Sequence, residues 1–173
     1  MGLDMYLYRR YYVGGVYNSD WHPVDGTIDI TVEGKHLPID LYKVEDITER
    51  VGYWRKANQI HQWFVMNVQG GVDKCLPFDV DIDKLKELLA LCKEVDSKIK
   101  LVEKGDKKVI ENAEEIASLL PTSEGFFFGS INYDSWYARD IQNTIEILET
   151  VIKEDEALRK QGIELDYEYQ ASW

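Results

Sequence analysis

The chain is organised around one stretch, residues 53–68, which reads Tyr-Trp-Arg-Lys-Ala-Asn-Gln-Ile-His-Gln-Trp-Phe-Val-Met-Asn-Val. Its apolar side chains fall on one arc of a helical wheel drawn at roughly 100° per residue, which predicts a helix over residues 54–68. The arc consists of Trp54, Ala57, Ile60, Phe64, Val65 and Val68. The stretch therefore predicts a helix that packs one face against the core of a domain.

Two side chains of this helix are unusual for their positions. His61 lies inside the apolar arc, where a buried imidazole must find a hydrogen-bond partner. It is either a satisfied core histidine or a group that contacts a ligand or acts in catalysis. Trp63 points away from the arc, so its large ring needs a cover. That cover is its own chain, a second copy in a homo-oligomer, or a stacked ligand.

Length and composition predict a single soluble domain spanning residues 1–173. A chain of 173 residues with 45% hydrophobic and 30% charged side chains is large enough to bury a core. The sequence has no apolar run long enough for a membrane span, and its first residues lack the apolar core of a signal peptide. We therefore expect a cytoplasmic protein without a membrane partner.

The cysteines and histidines predict neither a metal nor a cofactor. Cys75 and Cys92 do not have the spacing of a zinc site, and the three histidines are far apart. No phosphate-binding loop, dinucleotide-binding turn or nucleophile elbow occurs in the sequence. No sequence motif specifies a reaction.

The net charge of −12 is concentrated in residues 103–173, where acidic side chains outnumber basic ones 16 to 7. This balance disfavours a basic nucleic-acid-binding surface, so we expect no direct nucleic-acid partner. The acidic half is either a solvated face or a mimic of nucleic acid that docks on a basic host protein.

Periodicity predicts an α+β fold, with a mostly antiparallel sheet and about four helices packed largely on one face. The predicted strands lie near residues 3–13, 27–33, 36–50, 75–80, 126–130 and 163–172. The predicted helices lie near residues 54–68, 83–103, 107–119 and 134–160. Residues 83–119 form a helical hairpin insertion in this prediction, and Asp134 or Asn132 caps the last helix.

The sequence concentrates side chains that recognise ligands. Aromatic rings stack on planar bases, arginine and lysine bind phosphate, and amides read donor and acceptor edges. The candidate ligand-binding residues are Tyr6, Tyr8, Trp54, Arg55, Lys56, Asn58, Gln59, His61, Gln62, Trp63 and Trp136. Trp136 lies off the apolar stripe of its predicted helix, beside Asp140. This combination predicts a nucleotide-like small molecule as the ligand.

Four blocks of the sequence resemble a family of small proteins from phage and bacterial genomes. They are the Met-Gly-Leu-Asp-Met-Tyr-Leu opening, the segment Trp-Arg-Lys-Ala-Asn-Gln-Ile-His-Gln-Trp-Phe-Val, the block from Phe-Phe-Phe-Gly-Ser to Tyr-Asp-Ser-Trp-Tyr, and the Tyr-Gln-Ala-Ser-Trp ending. The resemblance implies a phage or mobile-element context, and hence the cytoplasm of a host cell. It supplies no reaction and no catalytic residue.

Three functions follow as hypotheses. The first is a non-catalytic protein that sequesters a nucleotide-derived immune signal. The second is an enzyme that cleaves such a molecule, with His61 as general acid or base and Arg55 stabilising phosphate charge. The third is an acidic inhibitor that binds a host protein through residues 103–173. The binder is slightly favoured because no catalytic constellation is visible.

Overall fold

The computed structural model describes residues 2–12, 29–39 and 44–173. Within these ranges the fold is α+β, as predicted. The central antiparallel sheet contains β1 (Asp4–Tyr12), β4 (Asp46–Arg55), β5 (Phe78–Val80) and β8 (Leu165–Ser172). Its strand order is β4-β1-β8-β5. Two small hairpins pair β2 (Thr31–Val32) with β3 (Lys35–His36) and β6 (Leu101–Lys104) with β7 (Lys107–Ile110). The helices are α1 (Asn58–Asn67), α2 (Ile82–Lys98), α3 (Ala113–Leu119) and α4 (Ser135–Arg159).

The sheet buries one face, because most of the alternate side chains on that face of its two central strands are apolar, Arg9 being the exception in β1. Leu3, Met5 and Leu7 are fully buried, and in β8 so are Tyr169 and Ala171. The apolar stripes of α1, α2 and α4 join these side chains in one core, as strand and helix periodicities require. In the described ranges, none of the helices is long and apolar enough to cross a membrane.

The predicted helix over residues 54–68 is wrong at its beginning. Trp54 and Arg55 belong to β4, where they pair with Met5 and Asp4 of β1, and α1 starts only at Asn58. Lys56 makes the turn between them with a positive φ of 60°, and its N–H donates to the carbonyl of Leu3. Pairing with β1 therefore overrides the helical pattern at this end.

The predicted strand over residues 126–130 is also wrong. Phe126 is 90% exposed, and the Phe128 N–H donates to the Gly125 carbonyl in a tight turn. Gly129 follows with a φ of 91°, which extended backbone does not use. The segment still contacts the residue before β1, because the Leu3 N–H donates to the carbonyl of Phe127.

The predicted helical hairpin over residues 83–119 is interrupted. The hairpin of β6 and β7 turns at Gly105, which has a φ of 64°, and it separates α2 from α3. The predicted helix over residues 107–119 is wrong in its first third, because those residues form β7. Val109 of β7 bridges to Asp134 in front of α4.

Predicted segments near the N-terminal half fall partly outside the described residues. The predicted strand 3–13 is confirmed up to Tyr12. Between the predicted strands 27–33 and 36–50, the chain turns at residues 33–34 and forms the short hairpin of β2 and β3. Three predicted strands extend outside the described ranges. The parts that lie outside are residue 13 of strand 3–13, residues 27–28 of strand 27–33, and residues 40–43 of strand 36–50. The end of the predicted strand 36–50 is confirmed, because β4 begins at Asp46.

Candidate functional site

A cleft of about 230 Å³ lies where β4 turns into α1, next to residues 129–134 and the start of α4. Its walls come from these three parts of the chain. They are Arg55, Lys56 and Gln59; Gly129, Ser130 and Asn132; and Asp134, Trp136, Tyr137 and Asp140. Four of the predicted ligand-binding residues, namely Arg55, Lys56, Gln59 and Trp136, therefore meet in one cleft.

The first wall is cationic. Arg55 is the last residue of β4, and its side chain is 60% exposed, with Nε 3.9 Å from Oδ1 of Asp4. An ion pair of that length and exposure leaves the guanidinium able to bind a second anion. Lys56 is held in place by its left-handed backbone and its hydrogen bond to Leu3.

The wall from α4 is acidic and aromatic. Asp134 is the N-cap, and its Oδ1 accepts hydrogen bonds from the backbone N–H groups of Trp136 and Tyr137 at 2.8 and 3.3 Å. Trp136 is 66% exposed, and Cζ of the Arg139 guanidinium lies over its ring, 5.7 Å from the ring centre. Asp140 follows Trp136 by four residues, so the two side chains share one face of α4.

Asp140 is a half-buried titratable group in the wall of the cleft. Burial, together with the neighbouring charge of Asp134, raises the pKa of its carboxyl to about 6, although the hydrogen bond from Gln59 and the charge of Arg139 oppose the shift. The Gln59 Nε2 donates to Oδ2 of Asp140 at 3.3 Å. A carboxyl in a cleft with a pKa near 6 is suited either to accept ligand hydrogen bonds or to exchange protons near neutral pH.

Two predicted amides support the cleft from behind and do not line it. Asn58 is 1% exposed, and its Nδ2 donates to the carbonyls of Phe128 and Ser130, at 3.1 and 2.9 Å. Its Oδ1 accepts from the Ser123 N–H at 2.9 Å. Gln62 accepts a further hydrogen bond from the hydroxyl of Ser123. These contacts hold residues 123–130 against α1.

His61 has the environment of a satisfied core histidine. It is 1% exposed, with Nδ1 2.8 Å from the Tyr169 hydroxyl and Nε2 3.0 Å from Oδ2 of Asp73. Burial lowers the pKa of the imidazole against the opposing influence of Asp73, so the neutral ring is favoured. The Trp173 indole donates to the same carboxylate oxygen. The three side chains therefore tie the loop after α1 and the chain end to the core.

The remaining predicted aromatic residues lie away from the cleft. Trp54 is 2% exposed, and its Nε1 donates to the Thr144 hydroxyl at 2.9 Å. Trp63 is 9% exposed and packs edge-on against Phe64 of its own helix, so its own chain covers it. Tyr6 and Tyr8 stack on each other, with ring centres 5.9 Å apart, on the sheet face opposite the core.

The four sequence blocks meet around residues 126–130. Leu3 of the opening bonds to Phe127, Asn58 bonds to Phe128 and Ser130, and Trp173 packs edge-on against Phe128 with ring centres 5.8 Å apart. The opening and the ending thus pack behind the cleft. Only the 53–68 stretch and the 121–137 block contribute to its walls.

Sequence reasoning did not identify Asp140, Asn132, Ser130 and Gly129 as cleft residues, and it considered Asp134 chiefly as a cap. For Asp140 a signal was present, because it lies one turn after Trp136, off the apolar stripe of α4. For Ser130 and Asn132 no local signal exists, since the hydrogen bonds from Asn58 bring their segment to the cleft.

Replacing Gly129 with alanine tests how closely this segment approaches Lys56. A Cβ at residue 129 would lie 3.0 Å from Cβ of Lys56, and the backbone has a φ of 91°. We expect a loss of about 1–3 kcal/mol in the free energy of unfolding, measured in urea, because both strain and contact are unfavourable.

Gly105→Ala is the matched control, since its φ is also positive but open space surrounds a Cβ there. We expect it to cost about 1 kcal/mol through backbone strain alone. Equal losses for the two variants would contradict a close approach at Gly129.

In the part of the chain that the structure describes, no group of three or more His, Cys, Asp or Glu side chains is placed to hold a metal ion. Comparisons with protein-family models, with curated proteins and with solved structures found no match to this chain.

Proposed function

We propose that this protein binds a nucleotide-like small molecule in the cleft and sequesters it without turnover. The observation that carries the proposal is the meeting of Trp136, exposed at 66%, with Arg55 and Lys56 in one cleft. An exposed ring offers a stacking surface for a base, and two cations offer partners for phosphate. Gln59 and Asp140 supply a donor and an acceptor for the edge of the base.

The size of the cleft limits how much ligand it encloses. Its volume of about 230 Å³ is below the ~300–1,000 Å³ of pockets that enclose a drug-sized molecule. We infer that it holds one nucleotide unit and leaves the rest of a larger ligand in solvent. In a phage context, which the sequence resemblance implies, such a ligand would be a nucleotide-derived immune signal of the host.

The test is a thermal-shift and native mass-spectrometry screen against mononucleotides and cyclic nucleotide signals. For a ligand that binds, we expect Arg55→Ala and Trp136→Ala each to weaken binding by about 10-fold or more, through loss of a charged hydrogen bond or a stacked base. The melting temperature of the free protein should stay near the wild-type value, because both side chains are largely exposed.

Matched controls are Arg50→Ala and Phe126→Ala. Arg50 lies against the Tyr53 ring and Phe126 is 90% exposed, and neither lines the cleft. Binding that survives both cleft variants, or that is lost equally in the controls, would contradict the proposal. If none of the ligands binds, a protein partner for the acidic residues 103–173 becomes the better hypothesis.

A second candidate function is cleavage of the nucleotide, and the carboxyl of Asp140 is the observation that favours it. Its pKa of about 6 and its place in the cleft suit a general acid or base, whereas His61 is buried with both nitrogens bonded. Ligand recovered after denaturation distinguishes the two functions. Intact ligand supports sequestration, and a cleaved product that disappears in Asp140→Asn supports an enzyme.

A further inference from the structure

The carboxylate of Asp140 faces the cleft with unused acceptor capacity. Gln59 is the only donor that contacts this carboxylate among the residues in the described ranges, and it reaches Oδ2 alone at 3.3 Å. An ionised carboxylate accepts several hydrogen bonds through its two oxygens. Burial without matching donors is also what raises its pKa to about 6. The site is therefore short of N–H or O–H donors, which a ligand would supply.

The position of this acceptor relative to the other cleft groups is fixed by α4. Trp136 and Asp140 are four residues apart on the same helix face, so a ring that stacks on the indole has its edge near the carboxylate. Arg55 and Lys56 stand on a different wall, at the junction of β4 and α1. The cleft thus has an aromatic and acidic wall for a base and a cationic wall for a phosphate.

Among the common nucleobases, guanine matches a carboxylate best. Its Watson–Crick edge carries two adjacent donors, the N1–H and the 2-amino group, which together can form a bidentate contact with two carboxylate oxygens. Adenine has one amino donor beside an acceptor nitrogen, which would face the carboxylate oxygen unfavourably. Uracil and cytosine each present at most one donor next to an acceptor on this edge.

We propose that the cleft selects guanine nucleotides, with Asp140 accepting from N1–H and the 2-amino group, Trp136 covering the base, and Arg55 with Lys56 binding the phosphate. This inference rests on the proposed nucleotide-binding function and specifies its ligand class. Gln59 orients the carboxylate through its hydrogen bond to Oδ2, and both Oδ1 and Oδ2 keep acceptor capacity for the two donors of the base.

The experiment is isothermal titration of the full-length protein at pH 7.5 with guanosine, inosine and adenosine monophosphates. Inosine differs from guanosine only by lacking the 2-amino group. The difference in affinity between their nucleotides therefore measures the hydrogen bond from the 2-amino group to Asp140. We expect the guanine nucleotide to bind about 10-fold tighter than the inosine nucleotide and about 100-fold tighter than the adenine nucleotide, as bidentate base recognition allows.

Two variants test whether Asp140 is the residue that gives the preference for guanine. Asp140→Asn exchanges one acceptor for a donor and should reduce guanine nucleotide affinity by about 10-fold or more, with little change for adenine. Glu146→Gln is the matched control, because Glu146 is an exposed acid on the same helix outside the cleft. It should leave all three affinities unchanged.

The outcomes separate the two proposals. Equal affinity for guanine and adenine nucleotides would overturn guanine selection and leave nucleotide binding intact. Binding of none of the three would overturn guanine selection, and failure of the wider nucleotide panel as well would overturn the proposed function. The comparison of guanine with inosine uses the wild-type protein, so it decides the question even if Asp140→Asn does not fold.

Discussion

Replacing His61 with leucine is expected to lower the free energy of unfolding by about 3–5 kcal/mol, the largest effect of any single change discussed for this protein. The substitution leaves the Tyr169 hydroxyl without its partner, and it removes one of the two groups that contact Oδ2 of Asp73, the other being the Trp173 indole. Tyr169 is fully buried, so water does not replace the lost hydrogen bond at its hydroxyl. Urea unfolding followed by tryptophan fluorescence measures the loss.

His36→Leu is the matched control. His36 is exposed and pairs with Asp29 at the surface, so the same substitution there should change stability by no more than about 0.5 kcal/mol. A similar small effect at His61 would contradict its role as a bonded core residue.

The pH dependence of stability gives a second test of His61. Burial places its folded-state pKa below the ordinary value of 6.5, so the unfolded chain binds more protons between these two pKa values. Stability from this group is therefore complete above pH 6.5 and is lost as the pH falls through that window. The His61→Leu variant should lack this loss.

Asp140 acts in the opposite direction over part of the same range. Its folded-state pKa of about 6 lies above the ordinary value of 3.8, so its ionised form destabilises the fold and acidification relieves that cost. Measuring the His61 effect in an Asp140→Asn background removes this contribution. A histidine-dependent slope of the opposite sign would contradict the buried neutral imidazole.

Replacing Asn58 with alanine is the second large change, with an expected loss of about 2–4 kcal/mol. One side chain makes three hydrogen bonds to the segment 123–130, and its removal leaves the N–H of Ser123 and the carbonyls of Phe128 and Ser130 without partners. Because this segment forms one wall of the cleft, nucleotide binding should weaken together with stability.

Amide hydrogen exchange measures this effect locally. The Ser123 N–H should exchange faster in Asn58→Ala, along with neighbouring amides of the segment, while the core amides of β1 and β8 keep their relative order. Asn67→Ala is the matched control, because Asn67 is exposed and its side-chain amide donates to the Trp63 carbonyl of its own helix. Unchanged exchange at Ser123 would contradict the anchoring role of Asn58.

The sequence by itself determined those parts of the fold whose periodicity survives in the structure. Alternation in residues 3–13 and 163–172 predicted β1 and β8, and the apolar stripe after Asp134 predicted α4 with its cap. These elements bury a continuous face, so the local pattern and the tertiary environment require the same conformation. The α+β class followed from them.

Tertiary structure alone decided the elements in which local pattern and packing disagree. Trp54 fits a helical stripe, but pairing with Met5 gives it a place in β4 and a partner in Thr144. The three phenylalanines at 126–128 suit a strand, but glycines on both sides turn the chain and expose the first of them.

The residues of the candidate site also fall into those that the sequence identified and those whose role only the tertiary structure decided. Arg55, Lys56, Gln59 and Trp136 were identified from side-chain chemistry, because exposed cations and a tryptophan off the core stripe are visible in the sequence. Whether His61 and Asn58 face a ligand or the core depended on partners far along the chain, Tyr169 and Ser123 among them. Contacts between residues so far apart in sequence leave no local periodicity, so only the folded chain shows that Asn58 supports the cleft from behind and that His61 belongs to the core.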